Sequence, residues 1–119
     1  MRVESAITGC VFDAEGTLAR LGGDDELFVE MANFCLEDAP PLYAALCSAA
    51  ANGDAQAVRM KAHALKGLVA GCGGVRAANA AHKLETAGET GDLARFSPLV
   101  EKLGEELEQL KRALVGYCS

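Results

Sequence analysis

Apolar residues recur along this chain at steps of three and four, and the recurrences fall into blocks separated by Gly, Asn and Asp. That spacing is the signature of helices with one buried face. Residues 1–12 keep no period and read as a lead-in segment. Asp13 then caps a short helix that reaches Leu21 and stops at Gly22-Gly23. Asp24 opens a longer one, with Asp25 and Glu26 in a first turn where acids complement the helix dipole. Its apolar set is Leu27, Phe28, Met31, Phe34, Cys35, Leu42 and Leu46. Pro40-Pro41 falls inside that set without shifting its phase, which predicts a kink or two helices in tandem. Asn52-Gly53 ends the block.

Asp54 caps the next helix, whose stripe Val58, Ala62, Leu65, Val69 and Cys72 alternates steps of four and three until Gly71, Gly73 and Gly74 break it. Ala77, Ala80, Ala81 and Leu84 mark a small-residue helix suited to close packing, ending near Gly88 or Gly91. In the last helix Phe96, Leu99, Leu103, Leu107, Leu110, Leu114 and Tyr117 repeat on a heptad-like period, with Ser97 and Pro98 as N-terminal cap and first-turn proline. No strand pattern competes. The expected fold is all-α: an antiparallel up-down-up-down four-helix bundle with a short additional N-terminal helix, over residues 13–119. Every helix has a stripe to cover, so the core is expected to be intramolecular and the protein a monomer.

Composition agrees with this reading. The 119 residues suffice for one core without staples. Trp is absent, β-branched residues are sparse and Ala is abundant, which favours helix. Five cysteines make an odd number with no C-x-x-C spacing, and Cys35, Cys47 and Cys72 sit at apolar positions as small hydrophobes. With no secretory leader and no apolar run of transmembrane length, the expected location is cytoplasmic. A formal charge of -6 argues against nucleic acid or an anionic membrane as partner. Charge is unevenly spread, however. Residues 55–84 hold Arg59, Lys61, Lys66, Arg76 and Lys83 and no Asp or Glu. A basic island thus surrounds His63, either a solvated face or a docking surface for something acidic.

The run His63-Ala64-Leu65-Lys66-Gly67 carries the chemistry. At about 100° per residue the apolar stripe lies on the side of the helix opposite His63, while Arg59, Lys66, Gly67, Ala70 and Gly74 fall within about 60° of it. The imidazole is therefore expected to face solvent rather than to be a satisfied core histidine. Glycine inside a helix costs about 1 kcal/mol relative to Ala, so Gly67 implies close approach, and on the face opposite the core the approaching body is a partner. An exposed neutral imidazole is a nucleophile toward phosphorus at cellular pH. Phosphoryl transfer asks for little beyond position and charge, which Lys66 supplies from one turn along and Arg59 more weakly from the turn before.

The pentapeptide followed by Gly73-Gly74 resembles the signature of histidine-containing phosphotransfer (HPt) domains of multistep two-component phosphorelays. Phe12-Asp13 with Leu18, Leu21-Gly22-Gly23, Leu27 through Phe34, Asp38 through Pro41, and Leu84-Glu85 with Gly88 extend the likeness over the chain from about residue 12. The resemblance implies that His63 accepts the phosphoryl group through Nε2, that Lys66 supports it, and that Gly67 leaves room for a receiver domain. It implies response-regulator receiver domains and a hybrid histidine kinase as partners, and no cofactor in this chain, with Mg2+ expected on the receiver. Glu85 falls where some members place a polar residue near the histidine, but a carboxylate beside a phosphoryl group is repulsive, so that correspondence is a weak one. His82 has no motif support and reads as a solvated residue.

Other readings remain open on the residues. One is the phospho-accepting domain of a chemotaxis-type kinase; another is a helical adaptor that docks on the Gly67 face without phosphorylation. A metal-binding bundle is disfavoured, because two histidines and scattered cysteines lack ligand spacing. No G-x-G-x-x-G or Walker loop is present, which argues against an ATP site. The expectation is a phosphocarrier with no hydrolytic site of its own.

Overall fold

The computed structural model describes residues 10–118, and among them there are five α-helices and no strand. They are α1 (Ala14–Arg20), α2 (Asp25–Ala51), α3 (Ala55–Gly71), α4 (Val75–Thr90) and α5 (Phe96–Cys118), the last entered through a 3-10 turn at Leu93–Arg95. The caps are those the sequence announces. Asp13, Asp24 and Asp54 each accept a hydrogen bond from the backbone N–H three residues on, at 3.0, 3.0 and 3.1 Å. These satisfy N–H groups that the first turn leaves without helical partners.

The four long helices enclose one core, in which α3 packs between α2 and α4, and α5 packs on α4 and α2. Val58, Ala62, Leu65, Val69 and Cys72 are all buried, so the α3 stripe is the face turned inward. Ala77, Ala80, Ala81 and Leu84 of α4 and Leu103, Leu110 and Leu114 of α5 meet it. Near α1, Phe12 stacks on Phe28 at 5.6 Å between ring centroids, and Tyr117 packs edge-on against both. The end of the lead-in segment therefore belongs to the folded body, while residues 1–9 lie outside the described residues.

Several expectations change. Helix α2 runs unbroken through Pro40 and Pro41, so the tandem-helix alternative gives way to one long helix. Both prolines face water, while Cys35, Ala39, Leu46 and Ala49 keep one continuous buried face on either side of them. Phe34 is 57% exposed, because the buried line of α2 runs through Phe28, Ala32, Cys35 and Ala39 instead. Helix α5 starts at Phe96 rather than being capped by Ser97, since the 3-10 turn leads directly into it. Of the two ends expected for α4, Gly91 is the one used: the helix passes Gly88, continues to Thr90 and stops at Gly91, whose φ of 71° suits a glycine cap.

The turn between α3 and α4 also docks α1. Gly73 has φ of 89°, its carbonyl accepts the Asp13 N–H at 2.8 Å, and a Cβ there would collide with Thr17 Oγ1. A Cβ on Gly74 would stand 2.6 Å from Leu110 Cδ2. The two glycines are required by packing.

Candidate functional site

The site begins with the close approach of α3 and α4. A Cβ on Gly88 would lie 2.8 Å from both the Ala55 carbonyl oxygen and the Arg59 backbone nitrogen, so only glycine allows the two backbones to touch there. One turn back along α4 stands Glu85, and one turn on along α3 stands His63. The backbone contact brings the two side chains together.

His63 points away from the core, with 67% of its side chain exposed, and its Nδ1 lies 2.8 Å from Glu85 Oε2. Glu85 is 13% exposed, and its other oxygen, Oε1, lies 2.6 Å from Lys66 Nζ and 3.7 Å from His82 Nδ1. The Lys66 ammonium beside Glu85 holds its carboxyl down at about 2; burial opposes this and His63 adds to it. An ionised carboxylate only accepts hydrogen bonds. His63 therefore donates through Nδ1–H, and in the neutral ring the lone pair then lies on Nε2. Glu85 thus fixes which edge of the His63 ring is engaged, and with it the tautomer of the neutral imidazole.

The predicted site residues divide. Lys66 is half-buried and joined to Glu85, and Gly67 is exposed with nothing near the position a Cβ would take. Ala70 is exposed, and its carbonyl accepts a long 3.5 Å bond from Arg20 Nη2 of α1. Arg59 is half-buried, its backbone against Gly88. Gly74 is a correction: α3 ends at Gly71, the helical angle no longer applies, and Gly74 is buried against Leu110 rather than on the His63 face. Around His63 the exposed neighbours Met60, Ala64, Gly67 and Ala70 are small or apolar and uncharged.

Glu85 is the residue that sequence reasoning undervalued. The repulsion expected of a carboxylate near a phosphoryl group assumes that both act on the same edge of the ring. The structure places Glu85 on the Nδ1 edge, away from Nε2. The signal in the sequence is local: Glu85 stands one turn before Gly88 and one turn after His82, each pair at i, i+3 on α4.

Among the described residues no group of three or more His, Cys, Asp or Glu is placed to hold a metal ion, and no helix is long and apolar enough to cross a membrane. The family model of the Hpt domain matches residues 30–113. The chain belongs to the Hpt domain family. An Hpt protein of known structure, histidine-containing phosphotransfer protein B (HptB) from Pseudomonas aeruginosa PAO1, superposes with a TM-score of 0.83 at 25% identity. The match covers 92% of this chain and 95% of that one. No curated protein matches the chain. The Hpt match spans α3 and α4 entire, so His63, Lys66, Gly67 and Glu85 all lie within it.

Proposed function

We propose that this Hpt protein is a phosphocarrier of a phosphorelay, in which His63 Nε2 takes a phosphoryl group from an aspartyl phosphate on one receiver domain and delivers it to the aspartate of another. The carrying observation is the bond from His63 Nδ1–H to Glu85, which in the neutral ring puts the lone pair on Nε2, the other ring nitrogen of an exposed side chain. In the forward step the P–O bond of the acyl phosphate breaks and its electron pair stays on the departing carboxylate. The N–P bond forms from the Nε2 lone pair. No proton leaves Nδ1, so the phosphorylated ring carries a positive charge, and the Glu85 carboxylate faces it. Lys66 supplies an ammonium for the phosphoryl oxygens, and Mg2+ belongs to the receiver.

The small or apolar exposed neighbours of His63 on its own helix, Met60, Ala64, Gly67 and Ala70, suit close docking of a folded domain, with Gly67 giving it room. A hybrid histidine kinase is the expected upstream source. The short connections between α2, α3, α4 and α5 support reading them as an antiparallel up-down-up-down bundle that works as a monomer.

The test is label transfer from phosphorylated receiver domains. Wild type is expected to acquire acid-labile label, and His63→Gln none, with its helical circular dichroism unchanged because position 63 is exposed. Label on the His63→Gln variant would overturn the assignment.

A further inference from the structure

Helix α4 carries a second polar row besides the one that meets His63. Arg76, Asn79 and Lys83 recur on it at i, i+3 and i+7, and with Lys102 and Glu106 of α5 they line a groove of about 290 Å³. That volume is at the lower end for small-ligand sites. Ala80 and Leu99 give the groove an apolar wall.

Glu106 is the acceptor in this groove, and half of it is unused. The side chain is buried, and Oε2 lies 2.9 Å from Arg76 Nη2 and 3.1 Å from Lys102 Nζ. Oε1 has no hydrogen-bond partner. A buried carboxylate oxygen left in that state costs free energy, which a donor recovers.

Donors, by contrast, are in excess. A guanidinium carries five N–H groups and an ammonium three, whereas Arg76 and Lys102 are each engaged with Oε2 through one nitrogen. Lys83 and Asn79 are exposed, and among the described residues no acid pairs with Lys83. Three cations against one carboxylate leave the groove with a net charge of +2. The complementary ligand has several anionic acceptors, a charge near −2 and one neutral donor. A phosphate monoester supplies the charge at neutral pH, because its second proton leaves near pH 6. A hydroxyl on its carbon chain supplies the donor.

We propose that the groove between α4 and α5 is a binding site for a small phosphate monoester that bears a hydroxyl group. The phosphate sits among Lys83, Lys102 and Arg76, the hydroxyl donates to Glu106 Oε1, and the carbon chain lies on Ala80 and Leu99. The site does not involve His63, so it stands or falls apart from the phosphocarrier reading.

The test is a titration of the 15N-labelled full chain with glycerol 3-phosphate, and with propyl phosphate, which keeps the charge and the three carbons but has no hydroxyl. Glycerol 3-phosphate is expected to shift the Asn79, Lys83 and Lys102 amide resonances. Propyl phosphate is expected to shift the same resonances but to bind about 10-fold more weakly, the effect of one hydrogen bond to a charged group. Lys83→Gln, a change at an exposed position, is expected to weaken both esters about 5- to 10-fold with circular dichroism unchanged. Groove resonances that stay still at millimolar ester, or a Lys83→Gln variant that binds as wild type does, would overturn the site. Equal affinity for the two esters would show a groove that attracts any phosphate by charge alone, and would overturn the role of Glu106 and the ligand class with it.

Discussion

Glu85 holds the Nδ1 edge of His63, and in the proposed carrier it faces the phosphorylated ring. Glu85→Gln keeps the volume and removes the charge, so a cationic phosphohistidine at position 63 would lose its counter-ion. Phosphoryl transfer to His63 from a phosphorylated receiver is expected to slow about 10-fold, the worth of one charge-assisted bond, as read from rapid-quench time courses. The same residue leaves a trace in acid. Its carboxyl titrates at about 2 in the folded protein against 4.5 unperturbed, so its pairing stabilises the fold above pH 4.5. That contribution is lost as pH falls from about 4.5 to about 2. Urea midpoints of wild type are expected to drop across that window more steeply than those of Glu85→Gln. Parallel curves would mean that the pair adds nothing to stability.

Within the helices, glycines at similar-looking positions have opposite roles. Gly67 of α3 has open space where a Cβ would go, so Gly67→Ala lowers the entropy cost of forming the helix without a steric clash. It is expected to stabilise the protein by up to about 1 kcal/mol, seen as a higher urea midpoint. The larger Gly67→Gln is expected to block transfer from receiver domains while leaving loading by phosphoramidate intact, because only the former needs a close partner. Gly88 of α4 lies against the α3 backbone, and Gly88→Ala forces the helices apart. It is expected to cost about 1–3 kcal/mol and to shift the Nδ1–H proton resonance of His63, as Glu85 is carried away with the helix. A variant that keeps both stability and the resonance would show that the contact is slack.

Over the molecule as a whole, the acid-free stretch at residues 55–84 is not an acid-free surface. Lys66 meets Glu85, and Arg76 meets Glu106 at 2.9 Å, both acids arriving from just outside the stretch or from another helix. Glu106 is 4% exposed; burial pushes its carboxyl up, but Arg76 of α4 and Lys102 of α5 outweigh that and hold it below the usual range. Arg76→Ala leaves this buried carboxylate with Lys102 alone and is expected to cost about 2–3 kcal/mol. Leu68 and Leu107 pack against both halves of the core, so the loss is expected as a shift of one cooperative transition. Non-coincident unfolding by far-ultraviolet circular dichroism and tyrosine fluorescence would contradict that.

Periodicity alone places the α3 stripe inward and His63 outward, because a helix in water must bury its apolar side whatever it packs against. The aspartate caps at 13, 24 and 54 are equally local, each a bond between a side chain and its own first turn. Contacts between distant segments carry no such mark. Gly88 reads as a helix end until Arg59 is found against it, Gly74 reads as surface until Leu110 covers it, and Phe34 reads as core until Ala32 and Ala39 take the buried line. Glu85 reads as a repulsive charge until folding sets it on the Nδ1 edge of a histidine 22 residues away. Helix phase is a property of neighbours in the chain; the partner of a charge, and the edge of the ring it approaches, exist only once the helices have packed.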